Sequence, residues 1–402
     1  MKIVFLTMVN LTEVDSHGIY QDLMRKFRDE GHEIYIVSPR ERRIGEKTRM
    51  NESGGGYFLG VKTLNLQKTN VIEKGIGQLL VETQFKRAVK YYLKDVKFDL
   101  IVYTTPPVTF SKVIKYLKSL NPTAKTYLLL KDIFPQNAVD LGMMSKTGIK
   151  SFLYHFFRKK EKKLYALSDY IGCMSPANVR YVIEHNKEVN PDKVEEAPNS
   201  YEVVKYFEFD NKERNAMRLK YNLPVDAPIF IYGGNLGKPQ GIDFLIQCLE
   251  KNGNRVDCHF VVVGDGTEYG KLEQWYNKMN PKSVSLFQRL PKEDYDKLVR
   301  SCDVGLIFLD YRFTIPNYPS RLLPYLMEKK PIIAATDTNS DIGSIAEANG
   351  YGYWCPSNDV GAFTKNVDKM LSSDLVQMGE LGYQYYLNHY TVEHTYKAII
   401  TH

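Results

Sequence analysis

Strand-length apolar runs alternate with helical patterns along almost all of this chain, which restricts the fold to parallel α/β sheets. Residues 2–9 read as a buried first strand. Over 17–29, Ile19, Leu23, Met24 and Phe27 recur at helical spacing, and Gly31 is a natural stop. A second strand at 33–37 is closed by Pro39, and further strands are expected at 100–103, 126–130 and 170–174. Residues 40–75, rich in charge and carrying Gly54, Gly55 and Gly56, read as loop with irregular strand. A second series starts near 227, with strands expected at 228–232, 259–263, 284–287, 304–309 and 332–335. The polar stretch 197–212, marked by Pro198, is the expected linker. Two Rossmann-like, doubly wound α/β domains facing each other across a cleft follow, 1–200 and 201–385, with a C-terminal helix in 386–402 packing back on the first.

Charge divides the same way. The net charge is +7, but residues 1–200 hold 32 Lys and Arg against 22 Asp and Glu, while 201–402 hold 22 against 25. A basic half beside a slightly acidic one points to an anionic partner of the first half: phospholipid, nucleic acid or a phosphorylated substrate. No recognised nucleic-acid motif accompanies the charge, so nucleic acid is not expected. Cys173, Cys248, Cys258, Cys302 and Cys355 are scattered, odd in number and without a CxxC pair, and read as buried thiols of a reducing compartment. No apolar run approaches the ~18–20 residues of a membrane span. The expected location is cytoplasmic, or at a membrane's cytoplasmic face.

Chemistry concentrates in three loops of the second half. After the strand at 228–232 come Gly233, Gly234, Asn235, Leu236 and Gly237, then Gln240 and Gly241 before a helix. Glycines let backbone N–H groups approach an anion, and a helix N-terminus adds partial positive charge, so a phosphate is the expected guest; a tight turn at a first crossover is the alternative. A second turn, Gly264, Asp265 and Gly266, follows the next strand and should line the same crevice. In the third, Ser320 can cap a helix and Arg321 can offer a diphosphate a forked donor. GxGxxG is absent, which disfavours a nicotinamide cofactor.

Together these loops resemble the C-terminal, nucleotide-binding domain of family 4 glycosyltransferases, which have the two-Rossmann GT-B architecture. Pro319, Ser320, Arg321 and Leu322, followed by Lys330, Pro331, Ile332 and Ile333, are similar to that family's PSK-L…GKPVI stretch. In the first half, residues 130–139 (LKDIFPQNAV) resemble the RDLWPE-type motif of a subgroup building bacterial capsule and O-antigen repeats, which includes enzymes similar to the N-acetyl-L-fucosamine transferases. Residues 196–199 fall where that family's IPNG linker stands.

The resemblance implies retaining transfer of a sugar from a nucleotide-sugar, a UDP-sugar, to a hydroxyl of a lipid-linked (polyprenyl-diphosphate) or saccharide acceptor, with the nucleotide-sugar as substrate and neither cofactor nor metal. It places Gly234, Asn235, Leu236, Gly237 and Gln240 around the donor diphosphate, Gly264, Asp265, Gly266 and Arg289 at the nucleoside, and Ser320 and Arg321 on the diphosphate. It also turns Gly18, in the first domain, toward the donor or acceptor phosphates. Asp132 and Arg321 are the catalytic candidates, and His17, Lys131 and Asp132 the acceptor-side ones; capping or pairing with Lys131 is the alternative role for Asp132.

Several positions depart from the family. Asn235 and Gln240 replace an Arg and a Lys, and Pro316 and Pro324 replace a pair of glutamates, the second of which holds the ribose. Glu328, one turn beyond Pro324, is a candidate substitute, with simple exposure as the alternative. The literal DxD at Asp294, Tyr295 and Asp296 falls early in an expected helix and reads as structural. Residues 150–165 combine aromatics with a basic cluster, suiting either a lipid interface or an amphipathic helix with its aromatics turned inward. Two other functions share the architecture: a nucleotide-sugar 2-epimerase, and a non-catalytic nucleotide-binding module.

Overall fold

The computed structural model describes residues 1–66, 71–148, 151–203 and 209–402, and side chains for these except 71–76. Lys150 and part of the expected linker therefore lie outside the described residues. The chain divides into two compact units, Met1–Glu202 with Thr391–His402, and Val203–Tyr390. The divisions fall two residues beyond the expected 200/201 boundary and at 390/391 instead of 385/386.

The first unit runs β1 (Lys2–Leu6), α1 (Ile19–Asp29), β2 (Glu33–Glu41), β3 (Arg49–Ser53), β4 (Gly56–Thr63), α2 (Val71–Tyr92), β5 (Leu100–Thr104), α3 (Ser111–Leu120), β6 (Lys125–Leu130), α4 (Gln136–Asp140), α5 (Ser151–Leu167), β7 (Tyr170–Cys173), α6 (Pro176–His185) and β8 (Val194–Glu196). Its sheet order is β3-β4-β2-β1-β5-β6-β7-β8, parallel except for the β3–β4 hairpin. Pro39 does not close β2, which continues to Glu41 beside β4; of the stretch 40–75 read as irregular, residues 49–63 form that hairpin, 71–75 open α2, and 67–70 lie outside the described residues. The order reverses between β1 and β5, the switch point at which ligands of such sheets gather beyond the strand carboxyl ends.

The second unit runs α7 (Asn211–Lys220), β9 (Ile229–Asn235), α8 (Ile242–Asn252), β10 (His259–Asp265), α9 (Tyr269–Met279), β11 (Val284–Phe287), α10 (Lys292–Ser301), β12 (Val304–Phe308), α11 (Leu322–Met327), β13 (Ile332–Thr336), α12 (Ile342–Ala348), β14 (Gly352–Pro356), α13 (Val360–Leu371) and α14 (Leu375–His389). Its sheet is wholly parallel, in the order β11-β10-β9-β12-β13-β14, with the switch point between β9 and β12. A last helix, α15 (Val392–Ile400), belongs to the first unit and packs on α1.

Helices cover both faces of each sheet, so strands such as β5 and β12 are buried at every position and read as continuous apolar runs. One core gathers Phe5, Phe27, Ile36 and Tyr127 with Val392 and Ile399 of α15; the other gathers Phe230, Leu245, Phe260, Phe308 and Phe363. All five cysteines are buried free thiols.

Candidate active site

At the switch point of the second unit, β9 runs through both glycines to Asn235, further than its apolar residues suggest, and a single 3-10 turn, residues 238–240, leads to α8. Three close approaches force glycine here. A Cβ at Gly264 would overlap the carbonyl oxygen of Gly234, one at Gly266 would overlap that of Leu236, and one at Gly233 would overlap the Tyr295 hydroxyl. Leu236 N–H donates to the Asp265 carbonyl at 3.0 Å, and its own carbonyl accepts from Glu268 N–H at 2.9 Å. The first two glycine loops thus form one interlocked unit.

Arg321 joins them. Gly234 has φ +122°, a conformation that favours glycine, and a Cβ there would lie 3.6 Å from the Arg321 Cζ. The guanidinium lies over the Tyr232 ring, 4.4 Å from its centroid. Its Nη1 is buried and has no hydrogen-bond partner among the described residues. A buried donor left unmatched costs about 1–3 kcal/mol, and a charged one more, so this nitrogen is a standing attraction for an anion beside Gly234. The three loops therefore converge.

Other expected donor residues have narrower roles. Leu236 is wholly buried with both backbone polar groups engaged, so it contributes packing and not a free amide. Gln240 Oε1 accepts from Asn235 Nδ2 at 2.9 Å and from Gly237 N–H at 3.2 Å, so those three residues first satisfy one another. Arg289, largely exposed, pairs with Asp265 at 3.2 Å. Ser320 is exposed and does not cap α11; Arg321 occupies the N-cap position, with no side-chain cap. Glu328 is neither exposed nor available to a ribose, because Arg300 holds it in a bidentate pair at 2.7 and 2.8 Å. Asp294 is held by Lys220 at 2.8 Å and by the Tyr221 hydroxyl at 2.6 Å.

The sequence reading missed the tyrosines around this loop. Tyr325 accepts from Gly233 N–H at 3.2 Å and donates to the Ile231 carbonyl at 3.1 Å. Tyr295, the middle residue of the DxD, rests against Gly233, and burial pushes its hydroxyl up to about 12, keeping it protonated.

In the first unit, His17 and Gly18 converge on a residue that the periodicity did not single out. Asp22, wholly buried in α1, accepts from Gly18 N–H at 3.0 Å, Glu202 N–H at 2.9 Å and Arg25 at 2.8 Å, and pairs with His17 Nδ1 at 2.9 Å. Burial opposes its charge, but these donors prevail and hold its pKa below the usual aspartate value. The His17 ring lies 4.6 Å from that of Tyr201.

Lys131 and Asp132 follow β6 and do not pair with each other. Lys131 Nζ donates to the Ala197 carbonyl at 2.8 Å, and burial lowers its pKa to about 7. Asp132 accepts from Asn137 Nδ2 at 2.7 Å, and its N–H reaches Thr105 Oγ1 at 3.3 Å. It caps nothing, since Pro135 occupies the N-cap of α4. Burial, with the Glu161 carboxylate nearby, raises its pKa to about 6, a value suited to exchanging a proton near neutrality. Among the described residues, no three His, Cys, Asp or Glu side chains gather as a metal site would require.

Residues 213–384 match the family described as Glycosyl transferases group 1. The chain is also 23% identical over 327 residues to "Probable glycosyltransferase WbjE" of Pseudomonas aeruginosa, covering 78% of this chain and 75% of that one. It is 22% identical over 254 residues to "Putative colanic acid biosynthesis glycosyl transferase WcaI" of Escherichia coli (strain K12), covering 62% of this chain and 60% of that one. Among solved structures, sucrose-phosphate synthase from Thermosynechococcus elongatus matches with a TM-score of 0.76 at 14% identity, covering 99% and 97% of the two chains. HepE from Anabaena, solved with UDP and glucose, matches with a TM-score of 0.70 at 13% identity, covering 100% and 98%. These likenesses show the fold, two Rossmann-like α/β domains of the GT-B kind.

Proposed function

We propose that the protein is a retaining glycosyltransferase that moves a sugar from a UDP-sugar to a hydroxyl of a lipid-linked or saccharide acceptor during surface-polysaccharide assembly. The observation that carries this reading is the Arg321 Nη1, buried and unmatched beside the Gly234 turn. As the bond to the anomeric carbon breaks, the leaving diphosphate gains negative charge, and a cation already fixed in place stabilises it without reorganising. Tyr232 holds that cation by stacking, and the interlocked glycine turns keep side chains out of the phosphates' way.

Acceptor chemistry falls to the loops of the first sheet. Asp132, with its pKa raised to about 6, orients the acceptor hydroxyl or takes its proton, while His17, anchored by Asp22, supports the turn at Gly18. Retention needs no covalent protein nucleophile when the acceptor hydroxyl attacks the anomeric carbon from the face the diphosphate leaves, and there the departing phosphate oxygen is the alternative to Asp132 as acceptor of the hydroxyl proton. The polysaccharide role is supported by the name of WcaI and by the 130–139 motif; the uridine preference is supported by the UDP bound to HepE.

A thermal-shift panel of nucleotides and nucleotide-sugars tests this reading. Ligands that bind only the folded state stabilise it as RT ln(1 + [L]/Kd), so UDP and one UDP-sugar should raise the melting temperature above other nucleotides. The absence of any nucleotide effect overturns the proposal. An isomerised donor, formed without acceptor, would instead make the protein an epimerase.

A further inference from the structure

We propose that the outer face of α5 docks on an anionic lipid bilayer. Its inner face is settled by packing: Phe157, Glu161, Leu164 and Tyr165 are buried, with the Phe157 ring edge-on to Phe134 at 5.0 Å. The sequence left open whether all the aromatics turn inward, and they do not. Phe152 is 70% exposed, Phe156 40% and Leu153 37%, close together at the N-terminal end of the helix.

Lys159 and Lys163 continue the stripe of Phe152 and Phe156, at seven and eleven residues from Phe152, so all four side chains share one helix face. Neighbouring Lys160 and Lys162 are held by Glu82 and Glu188, whereas neither Lys159 nor Lys163 has an ion pair among the described residues. The face thus presents apolar rings at one end and uncompensated ammonium groups at the other.

Charge and polarity together select the partner. Exposed phenylalanines gain little in water but lose apolar area to solvent once they enter the acyl boundary. Lysines on long stems then reach the phosphate layer, each drawn by the negative surface potential. α5 carries five Lys and Arg against one glutamate, Glu161, which is buried, so the helix itself adds no exposed carboxylate; the half-exposed Glu188 beside it is paired with Lys162. The inference rests on this face alone and not on the donor site.

The test uses the full chain in sedimentation with vesicles of phosphatidylcholine, alone or with about a third phosphatidylglycerol. Binding should require the anionic lipid and weaken with added salt. Lys159→Gln with Lys163→Gln should weaken it by roughly fivefold per lysine, and Phe152→Ser with Phe156→Ser should weaken it at least as much. The lysine variant should keep the wild-type melting temperature, and both variants should keep the nucleotide response, which separates docking from the donor reading. Equal binding to neutral vesicles, or variants that sediment like the wild type, would overturn the proposal. So would tight binding of single-stranded DNA that the same substitutions abolish without any vesicle binding, which would assign the face to nucleic acid.

Discussion

The Arg321 guanidinium stacks on the Tyr232 ring at 4.4 Å and stands against Gly234, so one residue of β9 holds the cation and its near neighbour clears the space before it. Removing a preorganised donor of this kind costs roughly 10²–10³-fold in turnover. Arg321→Ala should therefore lower sugar transfer by that factor and weaken UDP binding, with folding unaffected by circular dichroism. Arg321→Lys should recover little, because an ammonium reproduces neither the planar stack nor the fork. Steady-state kinetics with the identified donor would check both, and full activity in Arg321→Ala would remove this residue from the mechanism.

The interlocked glycine turns make a differential prediction. Gly264→Ala and Gly266→Ala each place a Cβ into a backbone oxygen of the facing loop and should both lower the melting temperature and abolish the nucleotide response. Gly270→Ala, inside α9 with open space around it, should be neutral or stabilise by about 0.5–1 kcal/mol. Thermal unfolding of the three variants, with and without UDP, would settle whether the loops respond as one structure.

Asp132 should make activity and stability respond to pH in opposite directions. Its folded pKa, about 6, lies above the unfolded value, so the native state binds the extra proton between about pH 4 and 6. Stability from this group therefore falls as pH rises through that window, and Asp132→Asn should stabilise the protein at pH 7 but not at pH 4. Transfer should show the reverse, with an acid limb near pH 6 that vanishes in Asp132→Asn along with most of the activity. A rate profile unchanged by the substitution would leave this carboxyl a purely structural role.

Asp22 titrates in the other sense. Its folded pKa is depressed, so its stabilisation is present above the unfolded aspartate pKa and disappears as pH falls through the folded value. Asp22→Ala leaves the Gly18 and Glu202 amides without their acceptor, while Arg25 keeps its pairing with Glu202, and should cost about 1–3 kcal/mol at pH 7. Acid unfolding below about pH 4 should be shallower in the variant than in the wild type, as urea titrations across that range would show.

Glu328 offers a test of ribose recognition. Since Arg300 engages both its oxygens, Glu328→Gln should lower stability by about 1 kcal/mol and leave the preference for UDP over its deoxyribose counterpart unchanged. Loss of that preference, read by calorimetry, would return the glutamate to the binding site.

What could be read from residues alone follows from the range of each interaction. The parallel sheets were legible because buried strands carry uninterrupted apolar runs, and the glycine turns because a backbone in contact with backbone tolerates no other residue. Asp22 was not legible: within α1 a carboxylate reads as solvent-facing, and its partner Glu202 comes from 180 residues further along. Tyr295 was hidden as the middle residue of the DxD, where the two carboxylates draw the reading, although its hydroxyl is what meets Gly233. The β3–β4 hairpin escaped because its outer strand is largely exposed and polar, so no alternation marks it. Pro39 misled for a related reason, since β2 extends past it beside β4.

The return of α15 to the first unit bears on how the protein can be divided in the laboratory. Val392 and Ile399 complete the core beneath α1, and Lys26 reaches Glu393 at 2.7 Å. A fragment cut at residue 202 would leave an apolar gap along Phe27 and aggregate readily, whereas grafting 391–402 onto it through a short flexible tether restores the missing wall. The second unit, Val203–Tyr390, is one uninterrupted stretch of sequence and can be excised without such repair.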